Sequence, residues 1–292
     1  MFKQNLSKFH TIILCIWSDV HWNQSYFLDL EGQELEEQLS LEYQFFHHLT
    51  QYLERAFTNK TIILQNWESD WKFERFLDNP GAMTKVKSWF FARQGGVSSG
   101  RNPKPRADST RVLHAIEVNK VVDGMKTLVV PNVDFDLVSY SMYEPHEDGV
   151  LSQSLGHIEN LMTEPSDYMT QLAGIDERFV KRVYLGEYGT PRTPHINQVR
   201  GNIGVLVNAM AWGCPLALYW QVFENEWKEN GDHPARGLFL PVHPENVVYF
   251  DETSGEFQGE EGALELARLK SMTDPLEVRI TDMGELFKSL LT

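Results

Sequence analysis

Thr61-Ile-Ile-Leu-Gln-Asn-Trp-Glu68 is a short apolar run that ends in polar and aromatic residues. Runs that are continuously apolar, rather than alternating, belong to strands buried on both faces, as in parallel sheets. Five further runs have the same character: Thr11-Ile-Ile-Leu-Cys-Ile-Trp17, Arg111-Val-Leu-His-Ala-Ile-Glu-Val-Asn119, Phe135-Asp-Leu-Val-Ser-Tyr140, Lys181-Arg-Val-Tyr-Leu-Gly-Glu187 and Pro215-Leu-Ala-Leu-Tyr-Trp220. Between them lie helical patterns. The clearest covers Leu39 to Phe57, with apolar residues at Phe45, Leu49, Tyr52, Leu53 and Ala56. Others cover Met83 to Arg93, Ser152 to Met162, Asp167 to Leu172, Ile196 to Trp212 and Asp282 to Leu291. Strand alternating with helix predicts an α/β fold, a parallel sheet with helical crossovers. Gly95 to Ser109 reads as a polar loop, and Pro234 to Gly262 as a long loop with a small hairpin. The chain is expected to form one domain over residues 1–292, a length that suits a barrel of about 250 residues.

A net charge of −15 excludes a nucleic-acid binder, which needs a basic footprint, and docking on anionic membranes. With 42% hydrophobic and 23% charged residues the chain can bury a large core. No apolar run reaches the ~20 residues of a membrane helix. The start is read as a strand: its apolar stretch is too short for a signal peptide and offers no small-residue cleavage site. Cys15 and Cys214 are expected to be buried thiols.

Parallel βα units present functional residues at the C-terminal ends of their strands. Past the second run stand Asn66, Trp67, Glu68 and Trp71; past the fourth, Tyr140 and Tyr143; at the fifth, Glu187; at the sixth, Trp220. Paired carboxylates among aromatics fit glycoside cleavage, in which one acid protonates the leaving oxygen and a carboxylate attacks the anomeric carbon. An aromatic wall raises the pKa of the acid by disfavouring its charged form. Trp220 suits sugar stacking or plain core. Glu117 and Asn119 share a strand face, either to bind sugar hydroxyls or as a buried hydrogen-bonded pair. Ser18-Asp-Val-His21 has the Asp-x-His form of metallophosphoesterases, but the further boxes of that family are missing. No metal or cofactor is expected.

Tyr184-Leu-Gly-Glu-Tyr-Gly189 resembles the nucleophile strand of clan A glycoside hydrolases, the group of cellulases, mannanases and β-glucosidases. Ile62 to Glu68 resembles the acid/base strand of that clan, Ser139 to Tyr143 its sixth strand end, and Pro215 to Trp220 its eighth strand. The resemblance runs from Thr11 to about Glu226 and implies a TIM (β/α)8-type barrel whose strands three to eight are present. It implies a retaining hydrolase of oligo- or polysaccharides, with Glu187 as nucleophile and Glu68 as acid/base. Tyr140 or Tyr143 would contact the nucleophile; Trp220, Asn66, Trp67 and Trp71 would bind the sugar, and Asp19 and His21 would line the cleft. The sequence departs from the clan in two ways. Trp67 stands between Asn66 and Glu68, which leaves Asp70 and Glu74 as substitutes, and strands one and two have no room before Thr11. The expected result is an N-terminally incomplete or open barrel, with an unpaired edge beside Ile12 to Ile16 that promotes a homodimer. The rival expectation is a degenerate, non-catalytic barrel that binds carbohydrate or a protein partner.

Overall fold

The computed structural model describes residues 8–16, 26–120, 124–142, 150–189 and 198–220, together with the short strands 239–241, 250–251, 256–257 and 278–280. Asp19, His21 and Tyr143 lie outside the described residues, as does the segment 282–291. The chain divides into two compact units. One comprises residues 1–142, 147–186 and 208–217; the other comprises 143–146, 187–207 and 218–292.

The first unit is built on β1 (Thr11–Cys15), β2 (Thr61–Gln65), β3 (Arg111–Val118), β4 (Leu137–Met142) and the start of β5 (Val183–Tyr188). With β6 (Ala217–Tyr219) these form a six-stranded parallel sheet in chain order. Ile12 stands beside Ile62, Ile62 beside Val112 and Ala115 beside Leu137. All residues of β2, β3 and β4 are buried, which is why these strands carry no polar alternation. On β1, by contrast, Cys15 is exposed; neither it nor the half-buried Cys214 forms a disulfide.

The crossovers are helical. They are α1 (Gly32–Ala56), a single turn α2 (Ser69–Phe73), α3 (Pro80–Gly100), α4 (Met125–Leu128), α5 (Val150–Leu161) and α6 (Asp167–Ile175). Pro80 opens α3 at a position whose N–H needs no partner, and Asn79 caps it by accepting from the Ala82 amide at 3.1 Å. Ser166 caps α6 in the same way through the Met169 amide, 3.3 Å. Phe46, Leu53 and Phe57 close over Ile12, Ile62, Leu64 and Val112.

Helix α3 extends into the stretch expected to be a polar loop, taking in Gly95 to Gly100, and residues 101–109 beyond it are loop as expected. The physical reason is helix packing. A Cβ on Gly96 would lie 2.5 Å from the Tyr43 carbonyl, and one on Gly100 would lie 2.5 Å from that of His47. The two glycines, one helical turn apart, bring the α3 backbone onto α1. Arg93, on the same helix, has its guanidinium 4.3 Å from the ring centroids of both Phe46 and Trp89 and 3.3 Å from Glu42. It donates to the Ile16 carbonyl at 2.8 Å, and burial lowers its pKa to about 10.

In the second unit α7 (Gln198–Trp212) begins, β7 (Phe239–Pro241) pairs antiparallel with β10 (Val278–Ile280), and β8 (Phe250–Asp251) pairs with β9 (Glu256–Phe257). The last pair is a small hairpin within the stretch expected to hold one.

Candidate active site

The residues following β2 and β3 interlock. Asn66 is fully buried; its Oδ1 accepts from the Glu117 amide at 3.3 Å and its Nδ2 donates to Ser69 Oγ at 2.6 Å. Glu68 then turns the chain with φ 38° and ψ 65°. This is the left-handed region, which costs a residue with a Cβ about 1–2 kcal/mol. The turn is held from β3. Glu68 donates its amide to Glu117 Oε2 at 3.1 Å, and its own Oε1 accepts from Asn119 Nδ2 at 3.2 Å. The residue Trp67, between Asn66 and Glu68, is therefore accommodated by a backbone irregularity just past the strand end.

Glu117 is fully buried at the centre of this arrangement. Ser141 Oγ donates to its Oε1 at 2.5 Å, and Gln65 Nε2 to its Oε2 at 3.4 Å. The Tyr184 hydroxyl, on β5, donates in turn to Gln65 Oε1. Burial pushes the Tyr184 phenol far above its usual range, so it stays a donor. A side chain on β5 reaching one on β2 crosses the intervening β3 and β4, so the sheet curls. Its concave side is narrow here: a Cβ on Gly186 would fall 1.8 Å from Ser139 Oγ.

Asp70 is also fully buried, and its carboxylate is spent on the loop after β3. Oδ2 accepts from the amides of Asn119 (2.7 Å) and Lys120 (3.1 Å), and Oδ1 from that of Met125 (2.8 Å). Glu74 pairs with Lys120 Nζ at 2.5 Å. Of the two alternatives to Glu68, then, one clamps backbone and the other lies in a surface ion pair. Trp71 is 53% exposed with Lys120 Nζ 4.7 Å from its ring centroid, and half-buried Trp67 carries Lys72 Nζ at 5.3 Å. Tyr140, near the end of β4, is buried.

Glu187 and Trp220 belong to the second unit, and both are half-buried. Tyr188 packs edge-on against Tyr219, ring centroids 5.5 Å apart, and burial raises its phenol pKa well above the ordinary value. The β5–β6 ladder slips at this point. Leu185 donates to the Leu216 carbonyl at 3.1 Å. A regular parallel ladder would next bring the Trp220 amide to the carbonyl of Glu187; it donates to that of Tyr188 instead, at 2.8 Å. β5 has one residue more than its neighbour across Gly186 to Tyr188. A bulge of this kind re-aims the side chain it contains.

Sequence reasoning did not single out Gln65 or Ser141. Their signal was present: polar residues inside otherwise apolar strands, with Ser139 and Ser141 two apart on β4, mark one face of a doubly buried sheet as polar. Among the described residues no group of three His, Cys, Asp or Glu side chains is placed to hold a metal ion, and no helix is long and apolar enough to cross a membrane.

No protein-family model matches the chain, and no curated protein matches it. Among solved structures it is similar to the apo structure of a β-glucosidase, 1317, at a TM-score of 0.40 and 11% identity. That likeness covers 82% of this chain and 70% of the other. It is a weak structural similarity.

Proposed function

We propose that the chain is a retaining glycoside hydrolase that cleaves O-glycosidic bonds of an oligo- or polysaccharide, with Glu187 as nucleophile and Glu68 as acid/base. The observation that carries this reading is that each glutamate stands at a backbone irregularity at the C-terminal end of a parallel strand. Glu68 has its left-handed turn, and Glu187 has its one-residue bulge. Both devices are of the kind that aims a side chain at the cost of regular structure.

In the proposed reaction Glu187 attacks the anomeric carbon while Glu68 protonates the departing oxygen; Glu68 then takes a proton from the water that releases the sugar. This chemistry requires the two carboxyl groups about 5–5.5 Å apart. Asn119 would steady the Glu68 carboxyl, and Trp67, Trp71 and Trp220 would offer ring faces to the sugar. Asn66, fully buried, acts on the turn rather than on the substrate.

The test is an assay on nitrophenyl glycosides and β-glucans. Glu187→Gln should lower turnover on both by about a thousandfold or more, since an amide is a poor nucleophile. Glu68→Gln should lose about 10²–10⁴-fold on β-glucans and much less on nitrophenyl glycosides, whose leaving group needs no proton. Wild-type turnover in Glu187→Gln would overturn the assignment, and a product of inverted configuration would overturn the retaining mechanism. A wild type that binds these sugars and cleaves none would establish the non-catalytic alternative.

A further inference from the structure

We infer that Glu117 is the positioning residue of Glu68: it fixes the direction of the proposed acid/base carboxyl through the backbone and does not touch the sugar. The inference rests on the assignment of Glu68 above. Glu117 has no exposed surface, so a substrate cannot reach it. It holds the turn after β2 at two points. Its amide engages Asn66 Oδ1 at 3.3 Å, before the turn, and its carboxylate takes the amide of Glu68 at 3.1 Å, in the turn itself.

The second contact explains the conformation of Glu68. At φ 38° its N–H points at β3, where an oxygen acceptor must meet it. Two residues further along the chain, just past the end of β3, Asn119 holds the carboxyl end of the same side chain at 3.2 Å. β3 and the residue just past it thus grip Glu68 at its amide and at its carboxylate. Glu117 is itself immobilised by Ser141 at 2.5 Å and by Gln65, which Tyr184 orients. The chain of contacts runs from β5 through β2 and β3 to Glu68. An acid that protonates a leaving oxygen in line has little tolerance, and a misplacement of about 1 Å costs on the order of 10² in rate.

The experiment combines kinetics with a structure. Glu117→Gln keeps the size of the side chain. It should lower kcat on β-glucans by about 10- to 100-fold, leave KM within about twofold, and change kcat on dinitrophenyl glycosides by less than about threefold. If Glu117 acts only through Glu68, Glu68→Gln/Glu117→Gln should be no slower than Glu68→Gln alone. Ser141→Ala, which loosens the grip without removing it, should give a weaker version of the same pattern. An equal fall on both substrate types, or full additivity in the double variant, overturns the inference. A crystal structure of Glu117→Met, which removes the acceptor and keeps the volume, should show Glu68 relaxed to negative φ. Glu68 still at positive φ in that structure overturns the inference whether or not the protein hydrolyses sugars. Absence of activity with a relaxed Glu68 overturns only the proposed function.

Discussion

At the scale of single residues, the carboxylate of Asp70 ties the turn after β2 to the loop after β3. Three backbone amides end on it. Asp70→Ala would leave these N–H groups without the acceptor they share. A hydrogen bond to a charged group is worth about 1.5–3 kcal/mol, so the expected loss of stability is at least about 3 kcal/mol. Urea denaturation measures it; a loss under about 1 kcal/mol would show that water replaces the carboxylate. Because Asp70 also fixes the Asn119 amide, the variant should disturb the hydrogen bond from Asn119 to Glu68 as well. The residues of this region were readable from sequence as types placed at strand ends. Which carboxylate does what was not. Glu68, Asp70, Glu74 and Glu117 are alike in sequence, and burial divides them: Asp70 and Glu117 are enclosed by donors, Glu74 lies in a surface ion pair, and only Glu68 combines a half-buried carboxyl with a strained backbone.

Among the elements, the pair α1 and α3 shows where local pattern misleads. Gly-Gly-Val-Ser-Ser-Gly100 has the composition of a loop, yet it is the last turn and a half of a helix, because the missing side chains are what the packing requires. Two opposing effects can be weighed here. Glycine to alanine in a helix interior gains about 1 kcal/mol from propensity. At Gly96 and Gly100 the new Cβ would meet backbone oxygens at 2.5 Å, and overpacking of this kind costs about 1–3 kcal/mol or more. Gly96→Ala and Gly100→Ala should therefore destabilise. Gly174→Ala on α6, where the Cβ meets nothing within 4 Å, should stabilise by up to about 1 kcal/mol. Denaturant midpoints for the three variants decide it; a gain at Gly96 would mean that the helices separate freely. The strands were far more legible. Burial on both faces leaves an uninterrupted apolar run, and each of the six runs became a strand, with bounds shifted by a few residues at most. Run length alone cannot reveal a bulge such as that at Glu187, since the slip is defined by the partner strand.

For the whole molecule, the order of the sheet bears on association. β1 is its end strand, and among the described residues no further strand pairs along its outer side. α1 follows β1 and has two flanks. Tyr43, Phe46 and His47 lie against the glycines of α3. On the opposite flank Leu41, Phe45 and Tyr52 recur at helical spacing and are 57%, 41% and 63% exposed. An unpaired strand edge beside an apolar helix flank is a surface that favours pairing with another of its kind. We propose a homodimer through this surface. A two-fold axis would let β1 pair antiparallel with its copy and bring the two α1 flanks together, since an isologous contact uses the same patch twice. The expected outcome in sedimentation velocity is a dimer at micromolar concentration. Phe45→Glu and Tyr52→Glu should shift it to monomer, because burying either carboxylate without a partner costs several kcal/mol. Neither residue belongs to the core that holds α1, so melting temperatures extrapolated to low protein concentration should match the wild type. A wild type that stays monomeric at high concentration would sink the proposal. A dimer that survives both substitutions would place the contact elsewhere.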